Sequence, residues 1–99
     1  MGDRVTLWAR DGLTVDARLE EDGRLTISGH DLSGRIYDEY EYWLSVTADE
    51  IALVVRALGG SEGDAVLPLL ERHGEAIVRT GEQRWLRDLG IEPGFSNWH

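Results

Sequence analysis

The sequence predicts one α+β domain over residues 1–99: an antiparallel four-stranded meander, two or three helices packed on one face of it, and a short C-terminal strand. Three observations predict this class. Apolar and polar residues alternate with period two through the first half, and Asp-Gly pairs beginning at Asp11 and Asp22 cut the alternation where hairpins turn. At Thr47 the apolar period lengthens to that of an amphipathic helix. Glycines at 59, 60 and 90 then stand where helices stop.

The elements follow in order. Residues 4–9 put Val5, Leu7 and Ala9 on one side of a strand and Arg4, Thr6 and Trp8 on the other. Asp11 and Gly12 both tolerate the positive φ of a type I′ turn. Residues 13–21 oppose Leu13, Val15, Ala17 and Leu19 to Thr14, Asp16, Arg18 and Glu20, and a second turn at Asp22 and Gly23 leads into residues 24–28, with Leu25 and Ile27 inward. Residues 29–34, Gly-His-Asp-Leu-Ser-Gly, have loop composition. The fourth strand, residues 37–46, sends Tyr40, Tyr42, Leu44 and Val46 to one face and Glu39, Glu41, Trp43 and Ser45 to the other.

Thr47 followed three residues later by Glu50 has capping-box spacing, and Ile51, Val54, Val55 and Leu58 form one apolar stripe. A second helix carries Val66, Leu67, Leu69 and Leu70 to His73 or Gly74, with Pro68 in its first turn, where a missing N–H costs little. The sequence leaves open whether residues 75–79 continue it. Thr80 to Gln83 repeats the capping-box spacing and predicts a third helix over 81–89, with Trp85, Leu86 and Leu89 inward and a stop at Gly90 supported by Ile91. Phe95 and Trp98 suit a tail or edge strand docked on the sheet.

A chain of 99 residues buries roughly two-thirds of its unfolded surface and needs no covalent staple. It has no cysteine, which excludes disulfides, thiolate metal sites and a cysteine nucleophile. A reducing cytoplasm is the expected location. No apolar run approaches the roughly 20 residues of a membrane span, and the N-terminus lacks a signal-peptide core. The net charge of -9 is unevenly placed: residues 20–50 hold nine acids against two arginines, hence -7. That field repels nucleic acid and anionic membrane and steers a basic partner; it also serves solubility.

Catalytic groupings are sparse. His30 beside Asp31 offers a base with an orienting carboxylate or, with Asp38, Glu39 and Glu41, a hard-metal site, but no H-E-x-x-H spacing supports it. His73-Gly74-Glu75 matches the H-x-E of zinc deaminases without the required P-C-x-x-C. Residues 59–63 are glycine-rich but follow a helix and lack the lysine of a phosphate loop. No serine stands in a nucleophile motif. The expectation is therefore no catalytic residue, no metal and no cofactor. Four tryptophans and three tyrosines remain, and aromatics dominate interface hot spots when exposed and cores when not. Trp8 and Trp43, on the polar sides of their strands, are open to both readings.

The segment Glu39-Tyr40-Glu41-Tyr42-Trp43 and the helix after it resemble small acidic actinobacterial proteins of uncharacterised function, a likeness that spans most of the chain loosely. In size, acidity and lack of catalytic groups the chain is also similar to immunity proteins that neutralise bacterial toxins in contact-dependent inhibition. The resemblance implies a role and carries over no residue. The expected function is an immunity-type inhibitor that binds a basic toxin domain, such as a nuclease, through Glu20, Glu21, Asp31, Asp38, Glu39, Glu41 and Trp43. Two alternatives stand beside it: a non-catalytic regulatory binding module, homodimeric through the same surface, and a small metal-dependent enzyme using His30, Asp31, Asp38 and Glu41.

Overall fold

The computed structural model describes residues 3–34 and 38–98; Tyr37, where the predicted fourth strand begins, and His99 lie outside them. Five strands, β1 (Arg4–Arg10), β2 (Leu13–Leu19), β3 (Leu25–Asp31), β4 (Tyr40–Val46) and β5 (Gly94–Trp98), form one sheet in chain order, each antiparallel to the next. Between β4 and β5 run a 3₁₀ turn (Ala48–Glu50) and the helices α1 (Ile51–Ala57), α2 (Val66–Arg72), α3 (Gly74–Thr80) and α4 (Glu82–Asp88). The predicted C-terminal strand is thus β5, on the edge beside β4.

Turn chemistry acts as expected. Asp11 and Gly12 have φ of 57° and 81°, the left-handed pair of a type I′ hairpin. The core lies on one face, where Val15, Ala17, Leu25, Ile27, Leu44 and Val46 are buried against Val54, Val55, Leu70, Ile77 and Leu86 of the helices. Val5, Leu19 and Leu58, expected inside, pack partly buried at its margin.

Three local departures from the simple pattern have physical causes. First, the β1–β2 register shifts at Leu7: Thr6 pairs with Asp16 and Trp8 with Val15, so Leu7 is the extra residue of a bulge. The alternation slips by one, which brings Trp8 to the core side and leaves Ala9 exposed, opposite to their expected faces. The Trp8 indole N–H donates to the Arg10 carbonyl at 3.3 Å, and the Arg10 guanidinium sits 3.9 Å above the indole ring. Second, α2 and α3 break at His73, whose backbone leaves the helical region, and Gly74 lies against the bulge: a β-carbon there would fall 2.5 Å from the Leu7 carbonyl oxygen. Residues 74–80 therefore form their own helix, making four among the described residues instead of two or three.

Third, the two capping signals diverge. The Thr47 N–H and hydroxyl both donate to the Glu50 carboxylate, at 3.2 and 3.0 Å, and the helix starts there as expected. The Thr80 hydroxyl instead donates to the Ala76 carbonyl at 3.0 Å and closes α3, while Gly81 (φ 97°) turns the chain into α4. At the far end of α4 the Ile91 N–H reaches the Leu86 carbonyl at 3.1 Å across Gly90 (φ 87°), the Schellman closure expected. Among the described residues no helix is long and apolar enough to cross a membrane.

Candidate functional site

The helices cover one face of the sheet and leave the other open, as an antiparallel sheet permits. Register fixes what stands on the open face. One cross-strand row runs Thr6, Asp16, Ser28, Trp43, Ser96, and the next runs Ala9, Thr14, His30, Glu41, Trp98. Trp43 and Trp98 are thus diagonal neighbours on β4 and β5, with Glu41 directly opposite Trp98. Trp43 is half-buried and stands outside the hydrophobic cluster that takes in Trp8 and Trp85; Trp98 is 54% exposed. A depression of about 270 Å3 lies beside Trp43, lined by Arg4, Thr14, Asp16, Ser28, His30 and Glu41.

His30 belongs to β3, contrary to the loop expected for residues 29–34. Gly29, which suggested that loop, is a strand residue whose missing side chain is replaced by the ring of Tyr42. The strand sets His30 directly opposite Glu41. Its Nε2 lies 2.8 Å from Glu39 Oε1 and 3.7 Å from Glu41 Oε1. Among the described residues His30 is the only basic side chain within ion-pair distance of either carboxylate. Elsewhere acids meet arginines: Arg4 with Asp16, Arg18 with Glu20, Arg24 with Asp22, Arg10 and Arg79 with Glu75, Arg87 with Glu92. Among the described residues Asp16 is the one buried carboxylate of the open face, and it also accepts from the Thr6 hydroxyl at 3.0 Å.

Of the seven residues expected to bind a partner, Glu39, Glu41 and Trp43 come together on this face, and Asp38 is exposed at its margin just before β4. Asp31 does not join them. It is paired with Leu13 and Tyr40 on the helix side, and its carboxylate accepts from the Ser33 N–H at 2.8 Å. Glu20 and Glu21 lie in the β2–β3 turn, at the other end of β3 from His30 and about 20 Å away at 3.3 Å per residue. There Glu20 is matched by Arg18 at 2.9 Å. The metal set His30, Asp31, Asp38, Glu41 is likewise regrouped: the side chains whose ligand atoms lie within 4.8 Å of one another are His30, Glu39 and Glu41.

The sequence suits Trp98 only to a docked tail or edge strand; its place beside Glu41 follows from the β4–β5 register. Sequence reasoning missed a second polar contact altogether. On the helix side the Tyr42 hydroxyl donates to the buried Glu82 carboxylate of α4, whereas the sequence marks Glu82 only as part of a helix start. Burial first, and the adjacent Glu82 charge second, push the Tyr42 phenol far above its ordinary value, so it stays neutral and donating. This pair faces the core and ties α4 to the sheet. A larger depression, about 630 Å3, is elsewhere again, between α1, α2 and the β2–β3 turn, walled by Leu19, Ile51, Val55 and Val66 without a histidine. The open face therefore gathers two carboxylates without an arginine partner among the described residues, an imidazole and two indoles, a set suited to binding cations and basic side chains.

Comparison of the chain with protein-family models, with curated proteins and with solved structures finds no match.

Proposed function

We propose that this chain is a non-catalytic inhibitor of the immunity type, which docks a basic toxin domain on the helix-free face of its sheet. One observation carries the reading. Glu39, Glu41, Trp43 and Trp98 share that face, and neither glutamate has an arginine partner among the described residues. Carboxylates that no arginine neutralises attract lysine or arginine from a distance, and half-exposed indoles bury apolar area and accept cations over their rings once contact is made. The net charge of -9 supports a basic protein over nucleic acid, and a cytoplasmic site of action belongs to the same reading.

The test is capture of a basic protein on the immobilised chain from cells that encode both, followed by assay of the captured protein's toxic activity with and without added chain. Inhibition at equimolar ratio, lost together with binding in a Glu41→Gln, Trp43→Ala variant, is expected. Inhibition undiminished in that variant would contradict the assignment of the surface.

A second reading has its own observation. β5 is an edge strand exposed at every position, with Phe95 50% and Trp98 54% exposed, and an unpaired edge of this kind can add a strand from another chain. A homodimer joined edge to edge is its form. Sedimentation equilibrium separates the two, since Asn97→Pro would block ladder hydrogen bonding and dissolve an edge dimer.

A further inference from the structure

We infer that His30, Glu39 and Glu41 form a binding site for a single divalent transition-metal ion, with Zn2+ as the ion best suited. The expectation of no metal rests on His30 lacking a companion histidine at ligand spacing; β3 supplies none, but it sets the imidazole against two carboxylates. His30 and Glu41 are held opposite each other by paired backbone, so two of the three ligands are set by register and not by chance side-chain approach. Glu39 comes from the chain just before β4, two residues from Glu41 and on the same face.

The spacing fits the ion. Zinc binds imidazole nitrogen and carboxylate oxygen at about 2.0–2.2 Å, and tetrahedral angles then separate neighbouring donor atoms by about 3.4 Å. His30 Nε2 stands 2.8 Å from one carboxylate oxygen and 3.7 Å from the other, which brackets that value, and all three donor atoms fall within 4.8 Å. Small side-chain rotations bring them onto one centre. Access is open, because the side chains of His30, Glu39 and Glu41 are 42%, 42% and 33% exposed and the depression of about 270 Å3 borders His30 and Glu41.

Charge points the same way. The two carboxylates share one imidazole, with donor atoms within 4.8 Å of one another and no arginine in ion-pair distance among the described residues, so a dication relieves their mutual repulsion. The imidazole selects the metal class: nitrogen with two carboxylate oxygens suits zinc and its neighbours, whereas magnesium and calcium take oxygen donors only. Three protein ligands on an open surface leave the fourth position to water or to a side chain of another molecule. A bound ion would also occupy Glu39 and Glu41, the carboxylates assigned above to the basic partner, but the site itself does not depend on that assignment.

Titration calorimetry of ZnCl2 into the full chain, freed of metal by chelation, tests this directly. One ion per chain is expected, with binding weakened in His30→Ala and in Glu41→Gln by at least the roughly 10–100-fold that loss of even an outer-shell partner costs. His73→Ala should bind as the parent does. Glu39→Gln alters no strand residue and so reports on the site even if His30→Ala is poorly folded. As a second reading, Zn2+ should raise the urea midpoint of the parent and leave that of Glu39→Gln less changed. No stoichiometric binding, or binding that survives His30→Ala and Glu39→Gln undiminished, would overturn the inference.

Discussion

The ring of Tyr42 lies across Gly29 of the neighbouring strand, so closely that a β-carbon on Gly29 would fall 2.1 Å from the ring carbon Cζ. The same ring ends in a hydroxyl that donates to Glu82 of α4. One side chain thus joins β3, β4 and α4, and Gly29 is a glycine because the tyrosine needs its space. Gly29→Ala is expected to displace the ring and destabilise by about 1–3 kcal/mol, the usual cost of overpacking. Tyr42→Phe should cost about 1–3 kcal/mol by stranding the buried Glu82 carboxylate. Urea denaturation of the two variants and their double mutant measures both, and the combined loss should fall short of the sum because each change disrupts the same contact.

The phenol of Tyr42 also sets a pH dependence. Its folded value is raised, by burial and then by Glu82, above the ordinary value of about 10. The neutral form is therefore favoured by the fold, and its contribution is fully present below about pH 10 and declines as pH rises beyond it. Thermal midpoints measured from pH 8 to 11 should fall at the alkaline end in the parent and fall less steeply in Tyr42→Phe.

Gly74 tests the contact between the bulge and the helices. A β-carbon there meets the Leu7 carbonyl oxygen at 2.5 Å and the Leu7 Cα at 2.7 Å, both backbone atoms that cannot rotate away. Gly74→Ala should therefore destabilise by about 1–3 kcal/mol, although alanine in an exposed helix would stabilise by up to about 1 kcal/mol. The sign of the change in the urea midpoint decides between a helix docked on the bulge and one merely near it.

The chain shows where pattern reading succeeds and where it cannot. The β4 alternation of Tyr40, Tyr42, Leu44 and Val46 against Glu41, Trp43 and Ser45 was legible because its register runs without a shift from end to end. The side of Trp8 was not legible, since a bulge at Leu7 reverses the alternation and is supported by Gly74, sixty-seven residues away in sequence. Likewise Gly29, His30 and Asp31 have the composition of a loop, and only the Tyr42 ring over Gly29 explains why they continue the strand. The second capping box does not form because Thr80 ends α3, its hydroxyl donating to the Ala76 carbonyl, and Gly81 takes the N-cap position of α4. Half of the site was therefore visible as the Glu39 to Trp43 segment; His30 and Trp98 needed the pairings of β3 and β5.

Charge and contact should separate kinetically at the proposed docking face. With the captured partner, Glu39→Gln and Glu41→Gln should slow association and reduce its salt dependence, whereas Trp43→Ala should speed dissociation. Glu20→Gln should do little, because that carboxylate is already matched by Arg18. Trp43→Ala should leave the fold nearly intact, losing roughly 0.2–1 kcal/mol of cross-strand packing against the about 3–5 kcal/mol of a core tryptophan. Rates at two ionic strengths, beside a denaturation curve for each variant, check all four statements.

The most direct test of the central claim uses the four indole N–H resonances of the 15N-labelled chain as reporters of its two faces. Trp43 and Trp98 stand on the open face, while Trp8 and Trp85 pack, partly buried, against the core. Titration with the captured basic partner should shift or broaden the Trp43 and Trp98 indole signals and leave those of Trp8 and Trp85 in place. Movement of Trp8 and Trp85 with Trp43 and Trp98 unchanged would put the partner on the helices and contradict the account.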